Sequence, residues 1–187
     1  MKTALLIYAN GSEDLEITAT ADILNRGGVQ ITRAALNDTH DKNIKLAHGT
    51  TVVCDKNLEE CNGEYDIIVI PGGLEGSEHC RDSKLLVDKL KKQHSAGKMI
   101  AAICAAPGFV LNTHGFLKGG VKATCYPGCN DSGIEGLQSD GVVYDENAHI
   151  ITGKGPGFAI DFALKILEVL VSPQVKEKVA SGMLVKV

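Results

Sequence analysis

Met99-Ile100-Ala101-Ala102-Ile103-Cys104-Ala105-Ala106-Pro107 reads as a strand that breaks sharply into a helix. The apolar run Lys98 to Ile103 has strand length and no polar alternation, the pattern of a strand buried on both faces of a parallel sheet. Small residues follow at once, and Pro107 suits the opening of a short helix over Ala105 to Asn112. The same grammar extends outward in both directions. Thr3 to Ala9 is an apolar run ended by Asn10-Gly11, and Glu13 to Arg26 is helical, with Gly27-Gly28 as its stop. Val29 to Leu36 and Asp66 to Ile70 are further strands, the latter running into Pro71-Gly72-Gly73. Ile44 to Cys54, broken at His48-Gly49, reads as an antiparallel excursion. Ser83 to Ser95 is an amphipathic helix stopped by Gly97. Val121 to Cys125, Val142 to Tyr144 and His149 to Thr152 are strand candidates, and Pro156 to Val171 and Pro173 to Ser181 are helices. Strands alternating with helices predict an α/β sandwich, a mostly parallel sheet covered by helices on both faces. No linker, repeat or low-complexity tract divides the chain, so one domain is expected over residues 1–187.

Composition narrows the function classes. Tryptophan is absent and aromatics are 4% of the 187 residues, so the core must be aliphatic, as parallel sheets prefer. Lysine plus arginine number 19 against 23 acidic residues, a net charge of -4 that lacks the basic stripe of a nucleic-acid binder. No run approaches the roughly 20 apolar residues of a membrane span. The N-terminal run Leu5 to Ala9 ends in polar residues and not in a cleavage site, which predicts a soluble cytoplasmic protein. The six cysteines are scattered and form no Cys-x-x-Cys pair. Cys125 and Cys129 flank Tyr126-Pro127-Gly128 without a nearby histidine pair, so no metal is implied.

In such folds ligands sit beyond the carboxyl ends of the strands. Cys104 stands at such an exit, where an elbow lifts a nucleophile out of the sheet toward the unpaired N–H groups of the next helix. That setting predicts a thiol pKa below the ordinary value of about 8.5. The plainer reading is a small buried hydrophobe. Gly72-Gly73 fits either a tight turn or a close backbone approach, in which its N–H donors join that of Ala105 in an oxyanion hole. Glu13 and Asp14 suit the acidic first turn of a helix. Glu16, further in, faces either solvent or the crevice, where burial beside a thiolate would keep it protonated.

Taken together, these motifs resemble the ThiJ/PfpI superfamily, in the branch typified by DJ-one and its bacterial relatives. The resemblance runs nearly end to end, through Gly-Ser-Glu-Asp-Leu-Glu at 11–16, Arg26-Gly27-Gly28, Tyr65-Asp66 to Gly73, Ile100 to Pro107, and Gly155-Pro156-Gly157 leading into Asp161-Phe162-Ala163-Leu164. It implies a flavodoxin-like fold and a homodimer with the first helix near the interface, without cofactor or metal. It makes Cys104 the nucleophile, Glu16 the protonated acid on its sulfur, and Gly73 and Ala105 the backbone donors, with Gly72 and Tyr126 lining the pocket. The implied activity is a glutathione-independent glyoxalase or deglycase acting on methylglyoxal, glyoxal, or early glycation adducts of protein or nucleotide. A cysteine-oxidation sensor or stress chaperone is the alternative. One departure stands out: where that branch has a histidine in a Thr-His-Pro context, this chain reads Thr124-Cys125-Tyr126-Pro127. A phenol is no base near neutral pH, so a histidine relay is in doubt. Ala105 replaces the histidine that follows the cysteine in the peptidase-like branch, and no late His-x-Glu pair of the amidotransferases follows Cys104.

Overall fold

Alternate side chains of the first strand, β1 (Thr3–Ala9), enter different cores. Ala4, Leu6 and Tyr8 join one apolar cluster and Leu5, Ile7 and Ala9 the other, so the strand is buried on both sides. The computed structural model describes residues 1–185, which leaves Lys186 and Val187 of the expected domain outside the described residues. Its main sheet has seven strands in the order β10 (Val142–Asp145), β11 (Ile150–Gly153), β7 (Met99–Ile103), β6 (Ile67–Ile70), β1, β2 (Gln30–Leu36) and β5 (Lys56–Asn57). Every pairing is parallel except β10 with β11. Helix α1 (Asp14–Arg26) and α4 (Ala159–Leu170) supply Ile17, Leu24, Phe162 and Leu167 to one core, and α5 (Pro173–Gly182) packs on α4. The other core receives Cys80 from α2 (Leu74–Asp82), Leu86 and Leu90 from α3 (Lys84–Ser95), and Val110 and Leu111 from the π-helical segment Pro107–Asn112. The expected sandwich, a mostly parallel sheet between helical layers, is the observed fold.

Strand order positions the site. From β1 the chain passes through α1 to β2 on one side, then returns to β6 on the other side. The switch point, where such folds bind their ligands, therefore lies beyond the carboxyl ends of β1 and β6, with the end of β7 beside it.

Four details differ from expectation. Helix α2 has no counterpart among the elements expected from the sequence. The helix expected over Ala105 to Asn112 is π-helical and begins at Pro107. The Pro156 to Val171 helix opens with a 3-10 turn, Pro156–Phe158. The strand expected over Val121 to Cys125 contracts to β8 (Lys122–Ala123), which pairs with β9 (Gly136–Leu137) outside the main sheet. The residues after β8 spend their polar groups differently: Thr124 N–H donates to Thr152 Oγ1 (2.8 Å) and Tyr126 N–H to the Cys104 carbonyl (2.8 Å). The Ile44 to Cys54 excursion is the expected antiparallel hairpin, β3 (Asn43–Lys45) with β4 (Thr51–Val53). Among the described residues no helix is long and apolar enough to cross a membrane.

Candidate active site

Cys104 adopts φ +64°, a left-handed conformation that costs a non-glycine residue roughly 1–2 kcal/mol. Neighbouring chain holds it there. Its N–H donates to Gly153 O (2.9 Å), while its carbonyl accepts from Tyr126 N–H (2.8 Å) and the Cys125 thiol (3.3 Å). These bonds tie the elbow to the end of β11 and to the segment after β8. The strain is thus over-determined, as it is at sites where geometry serves chemistry.

The Pro71-Gly72-Gly73 loop closes on the elbow from the end of β6. A Cβ on Gly72 would lie 2.4 Å from Cys104 Cβ and 2.6 Å from Glu16 Oε2, so only glycine lets all three meet. Gly73 has φ +84°, and a Cβ there would lie 2.1 Å from Gly11 O. Across the crevice, Glu13 N–H donates to Gly72 O (3.1 Å) and Gly72 N–H to Glu16 Oε2 (2.8 Å). Glu16 is fully buried at 0% exposure, turned toward Gly72 and Cys104 and not toward solvent. Its second oxygen, Oε1, is buried without a hydrogen-bond partner, an unspent polar atom beside the thiol.

Burial raises the Glu16 pKa to about 7; the Gly72 N–H opposes this and the nearby Glu13 charge adds to it. The thiol does not follow the sequence-based expectation. Burial first, and then the Glu16 carboxylate, push Cys104 above its ordinary value, although the N–H groups of Gly73 and Ala105 pull it down. The cause is plain: the elbow leaves Cys104 only 9% exposed and packed against a second acid, instead of opening it to a helix terminus. Two adjacent acids in low dielectric share one charge and titrate as a couple. A thiolate forms here when the remaining proton resides on Glu16.

Glu13 is a residue whose role sequence reasoning missed. It is the N-cap of α1: its Oε2 accepts from Glu16 N–H (2.7 Å), which fixes the turn that aims Glu16 inward. The only sequence signal was an acidic residue three positions before a candidate acid. Its Oε1 lies 3.7 Å from Nε2 of the exposed His48. Tyr126 stands at the rim, 47% exposed, and its ring lies 3.1 Å from the position a Cβ on Gly155 would take. It meets the elbow through its backbone N–H. All six cysteines are free, and among the described residues no cluster of histidine, cysteine and carboxylates is arranged to hold a metal.

Comparison with known proteins identifies the family of the chain. The sequence pattern of the DJ-1/PfpI family matches residues 2–169. The chain is 42% identical to Protein DJ-1alpha of Drosophila melanogaster over 188 residues, covering 98% of this chain and 84% of that protein. It is 36% identical over 178 residues to the glutathione-independent glyoxalase DJR-1.2 of Caenorhabditis elegans, covering 92% of this chain and 91% of that one. The solved structure of oxidized DJ-1 from Toxoplasma gondii superposes with a TM-score of 0.94 at 37% identity, covering 100% of both chains. With matching sequence over nearly its whole length and a matching fold, the chain belongs to the DJ-1/PfpI family.

Proposed function

We propose that the protein is a cysteine-dependent, glutathione-independent glyoxalase that converts methylglyoxal and glyoxal to 2-hydroxy acids, and that it acts on early glycation adducts as a deglycase. The observation that carries this reading is the buried Glu16 carboxyl, held by Gly72 N–H (2.8 Å) against Cys104 at a strained strand exit. The likeness to a relative named as a glutathione-independent glyoxalase supports the reaction class.

Cys104 thiolate adds to the aldehyde carbon, forming a C–S bond while the carbonyl π pair moves to oxygen. Glu16 protonates that oxygen to give a hemithioacetal, with the N–H groups of Gly73 and Ala105 stabilising charge at the sulfur. The Glu16 carboxylate then takes the C1 proton and returns it to C2, while the hydroxyl proton passes from the C1 oxygen to the C2 oxygen. The product is a 2-hydroxyacyl thioester. Water cleaves it, its hydroxyl going to the acyl carbon and its proton to the departing sulfur, so methylglyoxal plus water becomes lactate. Tyr126 has no proton-transfer role in this scheme.

Freshly reduced protein should form lactate from methylglyoxal without glutathione, and Cys104→Ser should abolish this. Peroxide-driven oxidation of Cys104 without any turnover would favour the sensor reading instead. We carry a homodimer as part of the same proposal. Leu15 on α1 is 52% exposed and Val53 on β4 68% exposed, and Asp14 carboxylate bonds to His48 N–H (2.7 Å) and Thr50 N–H (3.3 Å) join that helix start to the hairpin turn. Light scattering at micromolar concentration should give twice the chain mass, and a monomer there would remove the dimer from the proposal.

A further inference from the structure

A second concavity lies at the opposite end of the sheet from Cys104, against the amino ends of β6 and β7. Lys98 precedes β7 and Cys104 follows it, so at about 3.3 Å per residue they stand roughly 20 Å apart. The cavity holds about 150 Å³, room for about five water-sized groups. Leu5 and Ile68 form its apolar floor, and the 61–65 segment forms one wall. Lys89, Lys92, Gln93 and Ala96 form the other, standing at i, i+3, i+4 and i+7 along one side of α3 and the turn after it. With Lys98 from that turn, three lysines line one small cavity in a chain of net charge -4.

The three ammonium groups differ in what they already hold. Lys89 Nζ donates to Cys61 O (2.6 Å) and pins the wall. Lys98 Nζ pairs with Glu64 Oε2 at 2.9 Å, a rim carboxylate whose side chain is 79% exposed. Lys92 makes no side-chain hydrogen bond or ion pair among the described residues, and its charge adds to the pull of Lys98 on the Glu64 carboxylate. Glu64 therefore occupies, from within the chain, the place where an external carboxylate would sit, and an exposed side chain gives up such a pair at little cost.

We propose that this cavity binds a small aliphatic carboxylate, its head group replacing Glu64 between Lys92 and Lys98 and its carbon tail resting on Leu5 and Ile68. The floor favours an anion with a short tail over inorganic phosphate, which gains only the charge. Uniformly ¹⁵N-labelled protein titrated with butyrate at constant ionic strength tests this. Amide shifts confined to residues 61–65 and 89–98 and to the floor residues Leu5 and Ile68 should saturate with a Kd of about 1 mM, the range open to so small a ligand. Lys92→Gln should weaken butyrate about ten-fold, the worth of one charged contact. Glu64→Gln should strengthen it by removing the internal competitor, and inorganic phosphate should bind more weakly than butyrate. Both substituted side chains are exposed, and the unshifted amides of β7, β10 and β11 report that the fold is intact. Shifts that do not saturate, indifference to Lys92→Gln, weaker binding by Glu64→Gln, or phosphate binding as tightly as butyrate would each overturn the assignment.

Discussion

At the scale of single residues, the proposed chemistry rests on the Glu16–Cys104 pair, whose charges compete. The Glu16 charge is the second-largest cause of the raised thiol pKa, after burial. Glu16→Gln removes that charge and retains an amide donor, so the thiol pKa should fall and iodoacetamide should alkylate Cys104 at pH 8 at least as fast as in the wild type. Lactate formation should vanish, because an amide neither gives nor takes the proton. An alkylation rate that collapses together with turnover would mean that Glu16 activates the thiol and has no acid–base role. These residues were legible to unequal depth. Cys104 could be read from its elbow, since small residues and a proline after an apolar run suit few other structures. The inward aim of Glu16 could not, because it depends on Glu13 capping the helix and on Gly72 N–H reaching the carboxyl from 56 positions away in the chain. The direction of the thiol shift is hidden for the same reason: local sequence shows the N–H donors of the elbow but not the burial and the second acid packed against the thiol.

At the scale of elements, the strands and the longer helices were readable because each carries its own period or apolar run. Helix α2 carries neither. Its buried residues are Gly76, Ser77 and Cys80, chosen for size and not hydropathy. A Cβ on Gly76 would lie 2.7 Å from Ser12 Cα, so the helix earns its place by close approach to the β1 exit loop. The two-residue β5 and β8 are set by pairing partners and leave no signal of their own. Element placement also separates the cysteines. Cys54 follows β4, Cys61 follows a 3-10 turn, Cys80 lies in α2, and Cys129 closes a turn on Tyr126 O (3.1 Å). Cys125 alone of the five bonds to the elbow, through the Cys104 carbonyl (3.3 Å). Replacing Cys54, Cys61, Cys80 and Cys129 together by alanine should lower thermal stability, since all four are buried, yet leave methylglyoxal turnover within a few-fold. A well-folded quadruple variant without activity would move the nucleophile away from Cys104.

At the scale of the whole molecule, the same buried acid sets how stability depends on pH. Glu16 is raised from 4.5 to about 7 in the fold, so above pH 4.5 the unfolded chain releases a proton that the folded chain retains. Stability from this group is therefore fully present below pH 4.5 and is lost as pH rises to about 7, a fall of about 3 kcal/mol that levels off above. Asp66 acts in a separate window: burial pushes it up, but the N–H and hydroxyl of Thr3 outweigh this and hold it below 3.8, so its contribution is lost only as pH falls past that value. Urea unfolding followed from pH 4.5 to 8 should show the wild type losing stability across the interval, whereas Glu16→Gln, neutral throughout, should lack that fall. The two curves should diverge most above pH 7, where the variant is the more stable protein and the inactive one. Parallel curves would mean that Glu16 is ionised in the fold at the pH of catalysis, and the acid that protonates the first oxygen of the substrate would then have to come from elsewhere.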